Sequence, residues 1–265
     1  MSYGVQKLAR GIRSLRYGWT PFYRRCGLHQ LDHPVQATAS VPMIDARIIV
    51  SHANRMLFVR VPKCANTTIL NTLWLCETKQ KLEEMGRLGE HIRKQLQRKK
   101  NMKGVFVPPS RLSKEETNRV FAEYTKAIVV RHPFTRLASA YLYEIHGKEK
   151  ARRYGLSPTL SFAGFCDYLR DGGLHADIHW MPQTDICPIK PSQLDFIGFM
   201  ENLSEDMTRL TMKVYGQPAP IASRRNHATN AKEHVAQLYS QRERRMVVEE
   251  LYAGDFTGFG FDPGF

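Results

Sequence analysis

Short apolar runs that alternate with amphipathic stretches dominate the hydrophobic pattern of this chain. The apolar runs are rich in β-branched residues, which is typical of strands buried on both faces of a parallel sheet. The strands predicted in this way are 48–50 and 57–61, which are close enough to form a hairpin around 52–54, then 105–107, 126–131 and 196–200. The helices predicted from apolar spacing and capping residues are 67–78, 113–124, 133–147, 159–170, 203–215 and 231–253. Alternating strands and helices predict a three-layer α/β fold, with a central parallel sheet flanked by helices.

Two of these strands end in the same way, each in a cationic turn that opens a helix. The matched segments are MLFVRVPKCANTTILNTLWL at 56–75 and KAIVVRHPFTRLASAYLYEI at 126–145. Free N–H groups and the helix dipole at such a turn attract an anion, most often a phosphate. Two turns of this kind in one chain predict a ligand with two separated phosphate groups.

The residues of each turn supply the candidate contacts. The first turn, RVPKCANTT, is not a Walker A loop because it lacks the Gly-Lys-Ser/Thr ending. Its candidates for a phosphate cradle are Arg60, Pro62, Lys63, Cys64, Ala65, Asn66, Thr67 and Thr68. In the second turn, Arg131 and Ser139 can approach one anion if the chain turns sharply at Pro133. The alternatives are a capped helix beside a surface lysine and a helix with solvated arginines.

Composition places the chain among globular proteins that bind anions. Its 265 residues, 42% of them hydrophobic, suffice for one domain, predicted over 44–265 after a basic arm over 1–43. The net charge of +14 predicts a nucleotide, acidic glycan, nucleic acid or membrane surface as partner. Five cysteines without C-x-x-C spacing indicate neither a zinc site nor a disulfide scaffold. The arm is either solvated or an amphipathic helix on anionic lipid.

Five ordered segments together resemble the PAPS-dependent carbohydrate sulfotransferases, in the branch that includes the chondroitin and dermatan enzymes (sulfotransferase family 2). The segments are RVPKCANTT (60–68), RHPFTRLASAY (131–141), DIHWMPQTDIC (177–187), LDFIGFMENLSEDM (194–207) and VVEELYAGDFTGFGFD (247–262). The resemblance implies a P-loop-like fold. It also implies transfer of a sulfonyl group from PAPS (3′-phosphoadenosine-5′-phosphosulfate) to a hydroxyl of a carbohydrate or glycolipid, without a metal.

The resemblance also implies roles for particular residues. The first segment would hold the 5′-phosphosulfate, with Lys63 stabilising the leaving phosphate, and the second would hold the 3′-phosphate through Arg131 and Ser139. A late basic loop adds Arg224 to the nucleotide contacts and Arg225 to the acceptor contacts, unless that loop is merely solvated.

The acceptor hydroxyl needs a general base, and His179 is preferred because it lies in the family-like loop. A structural histidine is the rival interpretation of His179, and the other candidate bases are His52, His132, His146, Glu144 and Asp177. Trp180 and Gln183 are candidates for the acceptor pocket, with loop packing as the alternative.

Two other functions compete with the sulfotransferase. A P-loop-like kinase is disfavoured by the absent Gly-Lys-Ser/Thr motif. A non-catalytic module for nucleic acid or glycan is disfavoured because the arginines concentrate at strand ends. We therefore predict a glycan or glycolipid acceptor and no nucleic acid. The family's luminal members carry a membrane anchor that this sequence does not show. This leads us to expect a soluble, bacterial-type homologue in the cytoplasm, with peripheral contact to the inner membrane face left open.

Overall fold

The computed structural model describes residues 41–87, 105–219, 221 and 231–264. The strands are β1 Ile48–Ser51, β2 Met56–Val59, β3 Thr125–Val130 and β4 Phe196–Phe199. The helices are α1 Val41–Asp45, α2 Asn66–Glu84, α3 Lys114–Glu123, α4 Pro133–Ala140, α5 Phe162–Arg170, α6 Gln183–Ile186, α7 Leu203–Tyr215, α8 Ala231–Leu238, α9 Arg242–Leu251 and α10 Ala253–Phe259. The loop with Arg224 and Arg225 and nearly all of the predicted arm lie outside these ranges. Their roles stay predictions.

The sheet has the order β1-β2-β3-β4. Strands β2, β3 and β4 are parallel, with Val59 opposite Ile128 and Ile128 opposite Ile197. Strand β1 runs antiparallel to β2, as the predicted hairpin requires. The sheet is therefore mixed at one edge and parallel in its centre. The predicted strand 105–107 is wrong in extent, because Phe106 and Val107 form isolated bridges instead of a strand, and Val107 pairs with Val50 at the edge of the sheet.

Both faces of the sheet are covered, which confirms the three layers. On one face, residues of β2 and β3 pack against α2 and α7, with Trp74 and Met207 among the buried side chains. On the other face, Val59 and Val130 pack against α3 and the segment 178–189. Apolar residues therefore continue along each strand without alternation, since neither face meets water.

Several helix boundaries differ from the predictions for local reasons. The predicted helix 159–170 begins at Phe162, because the Ser161 hydroxyl accepts a hydrogen bond from Gly164 N and caps it. The predicted helix 133–147 ends at Ala140 and continues as a π-helical turn over Tyr141–Ile145. The predicted helix 67–78 extends over Asn66–Glu84.

The predicted helix 231–253 is wrong, because this segment forms α8, α9 and the start of α10. Two buried tyrosines lie where the chain bends. The Tyr239 hydroxyl donates to Phe134 O, and the Tyr252 hydroxyl donates to Trp180 O. Each bond ties the chain to a different element, which a straight helix could not do. These helices form a second, largely aromatic core with α4 and α5.

Candidate functional site

Three segments that are distant in sequence meet at one edge of the sheet. Strands β2 and β3 are adjacent and parallel, so the turns that follow them emerge side by side. Arg131 Nη1 in the second turn donates a hydrogen bond to Lys63 O in the first, at 3.2 Å. The segment 177–187 packs against both turns. The crevice outside the carboxyl ends of parallel strands is the usual ligand site of open α/β sheets.

The β2 turn has the backbone of an anion cradle. Lys63 and Ala65 both adopt positive φ, 69° and 53°, without being glycine. Non-glycine residues in this region cost about 1–3 kcal/mol each and persist only where the surroundings enforce them. Ala65 is the N-cap of α2 and provides no side-chain hydrogen bond to the first turn of the helix. The N-terminal N–H groups of this long helix are thus not capped by that residue, as an anion site requires.

Lys63 is the cation of this turn. Its Nζ lies 3.8 Å from the centre of the Tyr143 ring, and Lys150 Nζ lies 4.1 Å from the same centre. Burial lowers the pKa of Lys63 to about 8, with Glu144 opposing the shift and Lys150 adding to it. Burial destabilises the charged form of this side chain. An anion bound nearby would therefore stabilise the charged form strongly.

The β3 turn contains two arginines that serve as braces. Arg136 is almost fully buried and donates to Pro62 O, Met181 O and Ile178 O at 3.1, 2.7 and 3.1 Å. Arg131 is 8% exposed, and its Nε donates to Thr135 Oγ1 at 3.0 Å. Burial lowers the pKa of Arg131. These bonds fix the β2 turn and the 178–181 backbone relative to α4.

Gln183 links the two turns through hydrogen bonds to Cys64 of the first and Arg131 of the second. Its Oε1 accepts from Arg131 N at 2.9 Å and from Cys64 Sγ at 3.4 Å, and its Nε2 donates to Arg131 O at 2.8 Å. Asp255 of α10 accepts from Gln183 N at 2.9 Å. Burial raises the pKa of Asp255, although hydrogen bonds from Gln183 and Thr184 oppose it. Gln183 therefore fixes the position of the β2 turn relative to the β3 turn.

Trp180 and Gln183, the predicted acceptor contacts, are both fully buried. Trp180 packs in the second core, with its Nε1 donating to Gly173 O at 3.0 Å. A side chain without exposed surface cannot contact a sugar, so these two residues correspond to the packing alternative. Cys64 is also fully buried, which leaves only its backbone for the ligand.

His179 lies between two carboxylates. Its Nδ1 is 2.6 Å from Asp177 Oδ1, and its Nε2 is 3.6 Å from Glu144 Oε1. Burial would raise the pKa of Asp177, but hydrogen bonds from His179 and Tyr154 outweigh it and lower the pKa to about 2. An ionised Asp177 only accepts, so Nδ1 carries the proton and Nε2 is left as the basic nitrogen. Glu144 also acts on Lys63 electrostatically.

The other candidate bases also have partners in the structure. His132 Nε2 pairs with Asp262 O at 3.0 Å, and its ring stacks on Phe134. His52 pairs with the Tyr124 hydroxyl and His146 with the Tyr141 hydroxyl. Glu144 has its Oε2 in an ion pair with Lys150 Nζ. Among the candidate histidines, His179 is the one that lies between Asp177 and Glu144, and its role as base stays a prediction.

Several residues of the site were not among the sequence candidates, and three of them lie beside Lys63 or Arg60. Tyr143 and Lys150 frame Lys63, and Arg47 precedes β1 next to Arg60, whose backbone N donates to Arg47 O at 2.7 Å. No short motif marks them. The available signal was position, since Tyr143 comes two residues after the segment RHPFTRLASAY (131–141) and Arg47 immediately precedes a strand.

The match to known proteins agrees with this geometry. The model of the sulfotransferase family matches residues 46–262, which include both turns and the His179 loop. The chain belongs to the sulfotransferase family. The kinase and the non-catalytic module are therefore not favoured.

Two individual relatives are carbohydrate sulfotransferases. The chain is 29% identical to carbohydrate sulfotransferase 14 of Mus musculus over 188 residues, 64% of this chain and 47% of the relative. It is 25% identical to carbohydrate sulfotransferase 9 of Homo sapiens over 256 residues, 83% of this chain and 54% of the relative. The match thus spans about half the length of these relatives. No solved structure matches the chain.

The described residues contain neither a candidate metal-binding group nor a membrane-spanning helix. In these ranges there is no group of three or more His, Cys, Asp or Glu side chains arranged to hold a metal ion. Among the helices in the same ranges, none has the length and apolar character needed to cross a bilayer.

Proposed function

We propose that this chain transfers a sulfonyl group from PAPS to a hydroxyl of a carbohydrate or glycolipid by in-line displacement. The observation that carries the proposal is the 3.2 Å bond from Arg131 to Lys63 O, which joins two anion-binding turns into one cleft. Family membership and the carbohydrate sulfotransferase relatives support the reaction class.

The two turns fit the two ends of the donor. Lys63 and the uncapped start of α2, with Asn66, Thr67 and Thr68, would hold the 5′-phosphosulfate. Arg131 and Ser139 would hold the 3′-phosphate from the neighbouring turn. The donor supplies the sulfonyl group and a phosphate leaving group. The chain supplies positioning, which removes the entropic cost of bringing donor and acceptor together.

Lys63 stabilises the charge that develops as the bond from sulfur to the phosphate oxygen breaks. Its partly buried position makes the electrostatic attraction stronger than in water. Tyr143 and Glu144 keep the ammonium group in the cleft, because the ring faces its charge and the carboxylate opposes the loss of its proton. The phosphate oxygen receives the electron pair of the broken bond.

His179 is proposed as the general base. Its Nε2 takes the proton of the acceptor hydroxyl while the new bond from oxygen to sulfur forms. Asp177 fixes the imidazole through Nδ1 and stabilises the imidazolium that results. Tyr154, whose hydroxyl donates to Asp177 Oδ2 at 2.6 Å, holds the aspartate in turn.

Calorimetry tests the donor assignment. Adenosine 3′,5′-bisphosphate should bind more tightly than ATP, because only the bisphosphate places anions at both turns. Equal affinity for the two nucleotides would contradict the assignment.

A turnover assay with labelled PAPS and a glycan extract tests the base. His179→Ala should lower the rate by about 10²–10⁴-fold with nearly unchanged bisphosphate affinity. His175→Ala is the matched control, because His175 also pairs with a carboxylate, Asp185 at 2.7 Å, but outside the group formed by Asp177 and Glu144. A normal rate for His179→Ala would move the role to another residue.

A further inference from the structure

Glu144 is a buried carboxylate that faces three cationic or basic side chains at the cleft. The residue is 5% exposed, and its Oε2 forms an ion pair with Lys150 Nζ at 2.5 Å. Its Oε1 lies 3.6 Å from His179 Nε2, and its charge also acts on Lys63. Burying a carboxylate costs free energy that one ion pair does not always recover. The position of Glu144 therefore needs an explanation.

The local backbone buries the Glu144 side chain in an unusual way. Helix α4 continues into the π-helical turn Tyr141–Ile145, which is closed by a hydrogen bond from His146 N to Tyr141 O at 2.9 Å. In this turn Tyr143 is 39% exposed, whereas Glu144, the next residue, is buried. Single π-helical turns are rare and frequently occur at functional sites. This turn places a carboxylate beside the cleft and leaves the neighbouring ring partly in solvent.

Four charged groups act on Lys63, and Glu144 is the carboxylate among them. Lys150, Arg131 and Arg136 each lower the pKa of Lys63, in the same direction as burial, whereas Glu144 raises it. Among the described charged groups that act on Lys63, Glu144 is therefore the one that favours the ammonium form. The carboxylate is the counter-charge of the cation that the β2 turn presents.

The carboxylate that orients His179 does not have this second neighbour. Asp177 pairs with the other ring nitrogen, since its Oδ1 lies 2.6 Å from His179 Nδ1. Asp177 is not one of the charged groups that act on Lys63 among the described residues. Glu144 faces Nε2, the nitrogen proposed to take the proton of the acceptor. Of the two carboxylates beside the imidazole, Glu144 is thus the one that also acts on the cation.

The proposed reaction brings two positive charges together at this place. The acceptor oxygen bonds to sulfur, the bond from sulfur to the phosphate oxygen breaks, and that oxygen receives the electron pair. The proton of the hydroxyl passes to His179 Nε2 and produces an imidazolium, while Lys63 remains an ammonium. Like charges repel more strongly in a partly buried site than in water. A carboxylate that faces both groups offsets this repulsion.

We propose that Glu144 is a positioning residue shared by the two reacting ends of the site, and that it allows Lys63 and His179 to be positively charged at the same time in the transition state. The inference rests on the proposed function and adds a coupling to it. Loss of this one carboxylate weakens the cation for the leaving phosphate and the base for the acceptor together.

The test follows both groups in Glu144→Gln, which keeps the shape of the side chain and removes its charge. Calorimetry between pH 6 and 9.5 follows the alkaline loss of adenosine 3′,5′-bisphosphate affinity, which reports the proton of Lys63. NMR of the histidine rings in the full chain, with His179 assigned through His179→Ala, reports the proton of the imidazole. Both transitions should move to lower pH, because each positive charge loses an attractive neighbour.

The turnover with labelled PAPS and a glycan extract should fall in the same variant. We expect kcat at pH 7 to be about 10–100-fold lower, the effect of an opposite charge within a few ångströms of a group that becomes charged. Bisphosphate affinity at pH 6 should not fall, because Lys63 is charged there in both proteins. A side chain that only fills space would move neither transition.

The matched control is Glu149→Gln, which removes an exposed carboxylate that pairs with Arg152 in the next helical turn. It should leave both transitions and kcat in place. Glu144→Asp keeps the charge and withdraws it by one methylene, so both transitions should move to lower pH by less. This variant decides the test if urea denaturation shows that Glu144→Gln is not folded.

The possible failures are distinguishable. A shift of only one of the two transitions, or of neither, overturns the shared role of Glu144. A wild type that does not bind the bisphosphate, or that transfers no label from PAPS, rejects the proposed function instead. The NMR transition of His179 is measured without donor or acceptor, so it reports the effect of Glu144 on the imidazole in either case.

Discussion

The two turns that follow β2 and β3 look alike in sequence and differ in the structure. In the β2 turn the backbone is strained at Lys63 and Ala65, and Lys63 makes no ion pair with another described residue. In the β3 turn, Arg131 and Arg136 are buried and donate hydrogen bonds to carbonyl and hydroxyl oxygens of the protein. The first turn thus presents a cation to a ligand, whereas the arginines of the second brace the cleft in addition to the proposed contact of Arg131 with the 3′-phosphate.

The difference shows that arginine and lysine have different tasks at the two turns, which the number of cationic residues alone does not indicate. A guanidinium with five planar donors can connect several backbone carbonyls, and Arg136 connects three. An ammonium on a flexible chain suits a group whose charge changes during a reaction. The identity of the cation at each turn therefore follows from its task.

The largest expected effect concerns Arg136. Arg136→Met should lower the free energy of unfolding by about 4 kcal/mol, since three buried carbonyls lose a charged donor and the contributions are not additive. Urea denaturation measures it. Arg170→Ala is the control, because Arg170 forms an exposed pair with Asp167 on one helix and should change stability by less than about 0.5 kcal/mol. A stable Arg136→Met variant would contradict the bracing role.

The second prediction concerns Lys63, whose removal should affect binding and leave the fold intact. Lys63→Met should weaken adenosine 3′,5′-bisphosphate by about 10–100-fold, the effect of one lost charge-assisted contact. Its stability should be unchanged or higher, because a partly buried charge is removed. Calorimetry and urea denaturation separate the two effects. Unchanged affinity together with lower stability would contradict the ligand-binding role of Lys63 and give it a structural role instead.

The sequence predicted the fold more completely than the site. Uninterrupted β-branched runs such as Ile128–Val130 identify buried strands, because this pattern depends only on local burial. The break after Leu238 was not predictable, since it depends on a bond from Tyr239 to Phe134, a residue about a hundred positions away. The two turns were found from their composition. The roles of Gln183 and Arg136 were not, because their hydrogen bonds are long-range.

The third prediction concerns the pH dependence of the β2 turn. The groups that act on Lys63 are Glu144, Lys150, Arg131 and Arg136. With a pKa of about 8, Lys63 is charged at lower pH and must take up a proton to bind phosphate at higher pH. Bisphosphate affinity should therefore fall above pH 8, approaching about tenfold per pH unit. Calorimetry between pH 7 and 9.5 measures it. Lys63→Met should abolish the decline. If the decline persists in this variant, another group is responsible for it.

The smallest expected effect is a shift of this pH dependence in Lys150→Gln. Lys150 lowers the pKa of Lys63 by direct repulsion and also pairs with Glu144, which acts in the opposite direction. Its removal should therefore raise the pKa of Lys63 through both routes, by roughly a few tenths of a pH unit. The alkaline limb of bisphosphate binding should move upward by the same amount. Arg153→Gln, which removes an exposed charge from the same short helical turn, should leave the limb in place. A downward shift in Lys150→Gln would mean that the ion pair with Lys150 holds Glu144 beside Lys63, so that its loss removes the favourable effect of the carboxylate. In that case Tyr143 would remain beside Lys63 as a neighbour that favours the charged form.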